Sequence, residues 1–493
     1  MISFSHVAAH HEAPPREYNS ATLPWPHQRE AYQRFAAAES GMLALDMGTG
    51  KTKVAIDLVQ NNASPSTVLV VCPRYVVDVW GRELARHLVN PRSASVRLLG
   101  AGKLAARALA IREAVEPSIY EMTWIIINYE ALDDSGVQAA IKDHEWGWII
   151  LDESHRIKAA MGRRSKFLAN AYRFSRRRLC LTGTPMPHSP LDVFGQFRFL
   201  DPAIFGTRWT AFRARYAVTH QFYKTQILKY INQDELSARV AAYTFQVRAD
   251  DVLDLPEIVH VVRTCELEEG ARRVYEEMKD EFIAEVEHGE IVAANAAVKL
   301  GKLRQMTGGA VRDAEGQAHL VSTAKAELLA DLLGDLGEAP VVVFAAFHTD
   351  LDAIADICLT TKSSFAELSG RTGPSELARW QAGEAQVLIA QIDAAREGID
   401  LTRAATAIYY SLGFSLGNYD QSLARLRRPG QERRVTYLHL LAADTVDFYV
   451  YAALEQRREI IEYVLSRLIQ TGGTNDNENR FSIPERRDTR SRR

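Results

Sequence analysis

The sequence predicts an α/β protein of two doubly wound, parallel-sheet lobes with a mostly helical insertion between them. Three observations carry this expectation. Short, continuously apolar runs alternate with longer amphipathic ones, the pattern of parallel strands covered by helices on both faces. That rhythm stops near Pro202 and returns near residue 317. At 493 residues the chain is also too long for one ordinary core.

Residues 1–20 carry little apolar periodicity and are expected to form a loose leader. In the first lobe, placed at 21–202, GMLALDM, STVLVVCP, TWIIINYE, GWIILDE and RRLCLTGT read as buried strands. Between them, KTKVAIDLVQNN and YVVDVWGRELARHLV have the character of crossover helices. The span 203–316 is helical in pattern, aromatic and charged, without comparable strand runs, and is assigned to the insertion and lobe connector. The second lobe, 317–470, repeats the rhythm with APVVVFAAF, SSFAELSG, AQVLIAQI, ATAIYYSL and RVTYLHLLA. Two helices from about Val446 to Ile469 close it. Residues 471–493 are polar and end in arginines, a composition that predicts a disordered basic tail.

Hydrophobic residues make up 47% and charged residues 25%, so most of the chain is expected to fold. A net charge of -3 argues against a generally basic, sticky surface, so any nucleic-acid contact must be a local patch. The four cysteines are far apart with no CxxC pair, which indicates neither a zinc module nor a disulfide scaffold. No stretch approaches the ~20 apolar residues of a membrane span. These features predict a soluble, cytoplasmic protein.

Chemistry enters with ALDMGTGKTK at residues 44–53. Gly48, Thr49 and Gly50 let backbone N–H groups turn inward around phosphates. The following helix start adds a favourable field, Lys51 reaches the β/γ-phosphates, and the Thr52 hydroxyl can ligate Mg²⁺. The strict GxxxxGK[ST] pattern is not met, because Leu45 stands where its first glycine belongs. About a hundred residues on, WIILDESHRIK sets Asp152 and Glu153 directly after a buried strand. An acid at a strand tip beside a phosphate loop is where Mg²⁺ is needed, so Asp152 is expected to hold the ion and Glu153 to activate water. His155 is a candidate coupling residue. Upstream, the amide of Gln28 has the donor and acceptor to read an adenine edge.

Two longer stretches, LCLTGTPMPHSPLDVFGQFRFLDPAIFG and NYDQSLARLRRPGQ, make the pattern specific. With them the chain resembles the Swi/Snf-type DNA-dependent ATPases of helicase superfamily two, in a minimal bacterial or phage-like form. The matching motifs run in order from about Leu23 to Leu441: PHQ, DMGTGKT, a CP followed by Trp80 and Glu83, NYE, DESH, TGTP, LSGRTG, GIDLT and QSLARLRRPGQ. The resemblance implies RecA-like lobes, ATP and Mg²⁺ as cofactors, and double-stranded DNA as partner. It implies adenine contact by Gln28, a nucleotide-binding place for Gln421, and two arginines, Arg425 and Arg428, that reach the γ-phosphate from the other lobe. Ala395, Arg396 and Asp400 depart from the family's usual residues.

The implied activity is ATP hydrolysis between two lobes that drives translocation on duplex DNA without strand separation. Backbone grips are expected from Thr182, Arg163, Arg164 and Lys166 in the first lobe, and from Arg371 and Thr402 in the second. Three other readings stay open at this point: a strand-separating DNA or RNA helicase, the motor of a restriction or defence system, and a nucleotide-gated scaffold. No membrane attachment is expected, and the oligomeric state is not legible in the sequence, a monomer being compatible with it. Protein partners and the biological task are not legible in the sequence.

Overall fold

In a computed structural model the described residues are 18–62, 66–115, 120–187, 189–220, 227–287, 293–313, 315–394 and 399–456. Nearly all of the expected leader, the tail, the second closing helix, and Ala395 and Arg396 lie outside them. The chain divides at Asp254/Leu255 into two compact units.

The first unit is built on strands β1 (Ser40–Leu45), β2 (Ser66–Cys72), β3 (Ala94–Leu99), β4 (Met122–Asn128), β5 (Trp146–Asp152) and β6 (Ser175–Thr182). A small antiparallel hairpin follows, β7 (Ala217–Thr219) with β8 (Ile227–Tyr230), and then β9 (Thr244–Val247). Except for the hairpin these strands form one sheet in the order β3-β4-β2-β5-β6-β1-β9, parallel throughout. Because side chains alternate across a strand, each strand feeds two cores. Met42, Ala44, Leu69, Val71, Ile125, Ile149 and Leu151 join one core, and Leu43, Leu45, Val68, Val70, Trp124, Ile126 and Ile150 the other. Helices cover both faces, which is why the central strands read as unbroken apolar runs.

The second unit holds β10 (Ile258–Cys265), a short hairpin of β11 (Ala310–Arg312) and β12 (Ala318–Leu320), then β13 (Val341–Ala345), β14 (Phe365–Leu368), β15 (Val387–Gln391), β16 (Thr406–Tyr409) and β17 (Val435–Ala442). Its sheet runs β10-β17-β16-β13-β15-β14, again parallel. Val342, Phe344 and Tyr409 serve one face, and Val341, Val343 and Ile408 the other.

The expected helical insertion at 203–316 is not a separate body. Its strand β9 pairs with β1 in the first sheet, β10 is an edge of the second, and the unit boundary falls between them. Two long helices, Glu269–Glu287 and Ala293–Gly308, do lie in this span, and they set Tyr275, Phe282, Leu300 and Leu303 into one core of the second unit. The sequence pattern missed β3, β9 and β10 because edge strands are partly exposed. Arg97 of β3 and Arg263 and Thr264 of β10 face solvent and break the apolar run.

The chain leaves the first sheet beside the strand that carries the phosphate loop. Asp46 donates its N–H to the Val247 carbonyl at 3.1 Å, and its Oδ2 accepts from the Ala249 N–H at 3.0 Å.

Candidate nucleotide site

In the first unit three loops meet at the carboxyl ends of adjacent strands, where open α/β sheets place ligands. They follow β5, β6 and β1, neighbours in the sheet. Register aligns them: Asp152 pairs with Leu181, and Thr182 with Ala44.

After β1 the chain turns through Gly48 and Gly50, at φ 78° and 85°. Both values are in the left-handed region that glycine enters without steric cost. A Cβ on Gly50 would collide with the Gln28 amide, so glycine is needed there on two counts. Gly50 caps the helix Lys51–Gln60, whose buried Lys53–Asp57 ion pair joins successive turns. The Lys51 ammonium donates to the carbonyls of Leu45 at 2.8 Å and Asp46 at 3.3 Å. Thr49 is fully buried, its hydroxyl donating to the Asp46 carbonyl at 2.6 Å.

The Gln28 amide is turned inward. Its Oε1 accepts from the Trp25 N–H at 3.0 Å, capping its own helix Pro26–Phe35, and its Nε2 donates to the Thr49 carbonyl at 3.1 Å. A carboxamide has two N–H groups and two lone pairs, so these bonds use half of its capacity. His27 Nε2 lies 2.8 Å from the same Thr49 carbonyl, a contact that the sequence reading did not foresee.

Asp152 and Glu153 are both buried, at 6% and 5% exposure. Asp152 Oδ2 accepts from the Trp80 indole N–H at 2.8 Å, and Oδ1 from the Glu153 N–H at 3.0 Å. Burial, and then the neighbouring Glu153 charge, push the Asp152 carboxyl up to about 6 against the pull of the Trp80 bond and Lys51. In the sequence Trp80 stands out only as a motif position. Its bond to Asp152 spans 72 residues and has no local signal.

Glu153 sits at φ 50°, ψ 54°, left-handed for a residue with a Cβ, which costs about 1–2 kcal/mol. Such strain persists only where neighbours hold it. His155 Nδ1 lies 3.2 Å from both Glu153 Oε2 and Thr182 Oγ1, so the histidine bridges the loops after β5 and β6.

A raised carboxyl has a thermodynamic signature. The folded Asp152 binds its proton more tightly than the unfolded chain, whose carboxyl stays near 3.8. Between about pH 4 and 6 the folded state therefore holds the extra proton, and stability falls as pH rises through that window. We predict that the stability of Asp152→Asn relative to the parent rises by roughly 1–3 kcal/mol between about pH 4 and neutral pH in metal-free buffer. Asn keeps an acceptor for Trp80 but not for the Glu153 N–H, which adds an offset that does not vary with pH. Thermal melts across pH 4 to 8 check this, and a pH-independent gap refutes it.

Do these residues suit Mg²⁺? Two buried carboxylates that repel each other would be relieved by a divalent cation, and the Thr52 hydroxyl and Asp152 carboxylate are hard oxygen donors of the kind Mg²⁺ takes. Among the described residues no group of three or more His, Cys, Asp and Glu could hold a metal on its own.

The second unit carries its own cluster. Arg425 and Gln421 lie on the helix Leu416–Leu426, at 6% and 9% exposure. Gln421 Oε1 is buried without a hydrogen-bond partner. The segment Ile399–Ala404 is laced to this helix and its C-terminal turn. Leu401 N–H donates to the Arg425 carbonyl at 3.2 Å, Arg428 Nη1 to the Ile399 carbonyl at 3.1 Å, and Gln431 Nε2 to the carbonyls of Thr402 and Ala404. Asp400, a departure from the family pattern, accepts from the Thr402 N–H and hydroxyl.

Most of the expected DNA grips have partners within the chain. Thr182 is fully buried, its oxygen accepting from the Thr184 N–H, so it cannot itself touch a backbone. Arg164 makes a bidentate pair with Asp133 and a longer contact to Glu130, and Arg163 donates to the Asp133 carbonyl. Arg371 is held by Glu367 and Asp352, which push its guanidinium further up. Lys166 is exposed.

Comparison with known proteins also finds two consecutive regions, with the first extending past the boundary between the compact units. Residues 18–308 match the SNF2-related domain and residues 324–430 the helicase conserved C-terminal domain. The chain is 25% identical over 471 residues to protein p41 of Acyrthosiphon pisum secondary endosymbiont phage 1, covering 90% of this chain and 98% of that protein. It is 24% identical over 441 residues to the human DNA annealing helicase and endonuclease ZRANB3, covering 86% of this chain but 39% of that longer protein. Among solved structures it is similar to the Sulfolobus solfataricus SWI2/SNF2 ATPase core in complex with dsDNA, at 21% identity and TM-score 0.42, covering 92% of this chain and 95% of the other. No helix among the described residues is long and apolar enough to cross a membrane. The SNF2-related match alone runs over more than half of the chain, which therefore belongs to the SNF2-related family of helicase-like, DNA-dependent ATPases.

Proposed function

We propose that this ATPase is a motor that moves along double-stranded DNA in the cytoplasm without separating the strands. The observation that carries the reading is the juxtaposition of the phosphate loop with the buried Asp152–Glu153 pair at adjacent strand ends. Lys51 binds the β/γ-phosphates, exchanging its carbonyl partners for phosphoryl oxygens. The backbone of Gly48, Thr49 and Gly50 cradles the phosphates, and Thr52 and Asp152 hold Mg²⁺. When bound, that ion neutralises charge on the phosphoryl oxygens. Glu153 orients the attacking water and takes its proton, while His155 keeps the carboxylate aimed. Gln28 offers its second N–H and lone pair to the adenine, and Gln421 adds a nucleotide contact from the second unit. Arg425 and Arg428 stabilise the charge that spreads over the γ-phosphoryl oxygens.

The DNA-binding surface follows from family membership, and its contacts are backbone amides, hydroxyls and local cations such as Lys166. The test is steady-state ATP hydrolysis with no nucleic acid, duplex DNA, single-stranded DNA or RNA at one fixed salt concentration. We expect duplex DNA to stimulate most, with no strand displacement. Stimulation by single strands or RNA alone would favour a strand-separating helicase, and none at all a scaffold or a motor that needs a partner.

A further inference from the structure

The helix Val193–Leu200, VFGQFRFL, is buried along its whole length. Gln196, near its middle, is 0% exposed. A buried amide must find partners or lose its hydration uncompensated. Gln196 finds them in the two loops that matter for hydrolysis. Its Oε1 accepts from Ser154 Oγ at 2.7 Å, and its Nε2 donates to the Pro185 carbonyl at 2.7 Å and the Asp192 carbonyl at 3.1 Å. Ser154 follows the strained Glu153, and Pro185 ends the Thr182–Pro185 loop. Gly195 presses the same helix onto this region, since a Cβ there would collide with the Ile157 carbonyl. Arg198, one turn on, donates to the Ala160 carbonyl at 2.7 Å and Ser165 Oγ at 3.1 Å, anchoring the continuation of the first loop.

We propose that Gln196 is a positioning residue for ATP hydrolysis: its amide fixes Ser154 against the Thr182–Pro185 loop and so holds Glu153 where it acts on water. This rests on the assignment of Glu153 as the base. The helix touches no residue of the phosphate loop through this amide, so Gln196 governs turnover and not nucleotide affinity.

The test compares DNA-stimulated kcat with the Kd for a fluorescent ATP analogue. Gln196→Met keeps length and volume but removes the bridge. We expect kcat to fall roughly 10- to 100-fold, as misplacing a catalytic group does, with Kd within about twofold of the parent. In Gln196→Glu, burial keeps the carboxyl protonated to higher pH, and its O–H can donate to Pro185 while the other oxygen accepts from Ser154. Activity relative to the parent should recover near pH 6 and be lost towards about pH 9. If Gln196→Met fails to fold, the Ser154→Ala/Gln196→Met pair, which leaves no hydroxyl stranded, takes its place and should be folded and slow. A folded Gln196→Met or double variant with kcat within about twofold of the parent overturns the proposal, as does a parallel loss of kcat and affinity. Glu153→Gln is run beside them. Normal turnover in that variant sinks the base assignment, whereas a dead Glu153→Gln with a normal Gln196→Met sinks the positioning role alone.

Discussion

Glu153→Gln is expected to bind ATP as tightly as the parent and to turn it over about 10²–10⁴ times more slowly. The substitution preserves size and backbone, so the left-handed turn at residue 153 has no new reason to relax. What it removes is the proton acceptor. Nucleotide binding by fluorescence and hydrolysis under saturating duplex DNA separate the two quantities. A variant that hydrolyses at the parental rate would take the base role away from Glu153.

Arg428→Ala is expected to lower kcat by about three powers of ten while leaving the second unit folded. The side chain gives the fold one hydrogen bond, to the Ile399 carbonyl, whose loss costs about 1 kcal/mol. Arg425→Ala should be comparably slow but less stable, because that guanidinium is buried. Its backbone carbonyl still accepts from Leu401 in the variant. Lys in place of Arg428 should rescue little, since a point charge lacks the planar fork that spans two phosphoryl oxygens. Hydrolysis rates and thermal melts of the three variants test this. An Arg428→Ala protein within tenfold of the parent would remove that residue from the γ-phosphate.

The legible part of the fold was its interior. Strands β1, β2, β4, β5 and β6 of one sheet and β13, β15, β16 and β17 of the other announce themselves because burial on both faces leaves no room for polar alternation, while the edge strand β14 is legible from its Phe365 and Leu368 between turn residues. Edge strands β3, β9 and β10 carry Arg97, Gln246, and Arg263 with Thr264 at exposed positions and look like connector sequence. The phosphate loop was legible because glycine spacing is a local property. Trp80 on Asp152, His27 on Thr49 and Gln196 on Ser154 were not, since each depends on chain segments that only the folded sheet brings together. The same reason hides the pairing of Arg164 with Asp133, 31 residues away in sequence.

The attachment of Asp46 has a mechanical meaning. The first residue of the nucleotide loop shares its carboxylate with the first turn of the segment that runs towards the second unit, and its N–H with the preceding strand. Loop and tether are thus in series. Uncoupling them means breaking a hydrogen bond to a charged, partly buried group, about 1.5–3 kcal/mol. A hydrogen bond of that strength makes the conformation of the loop after β1 depend on that of the segment leaving the sheet.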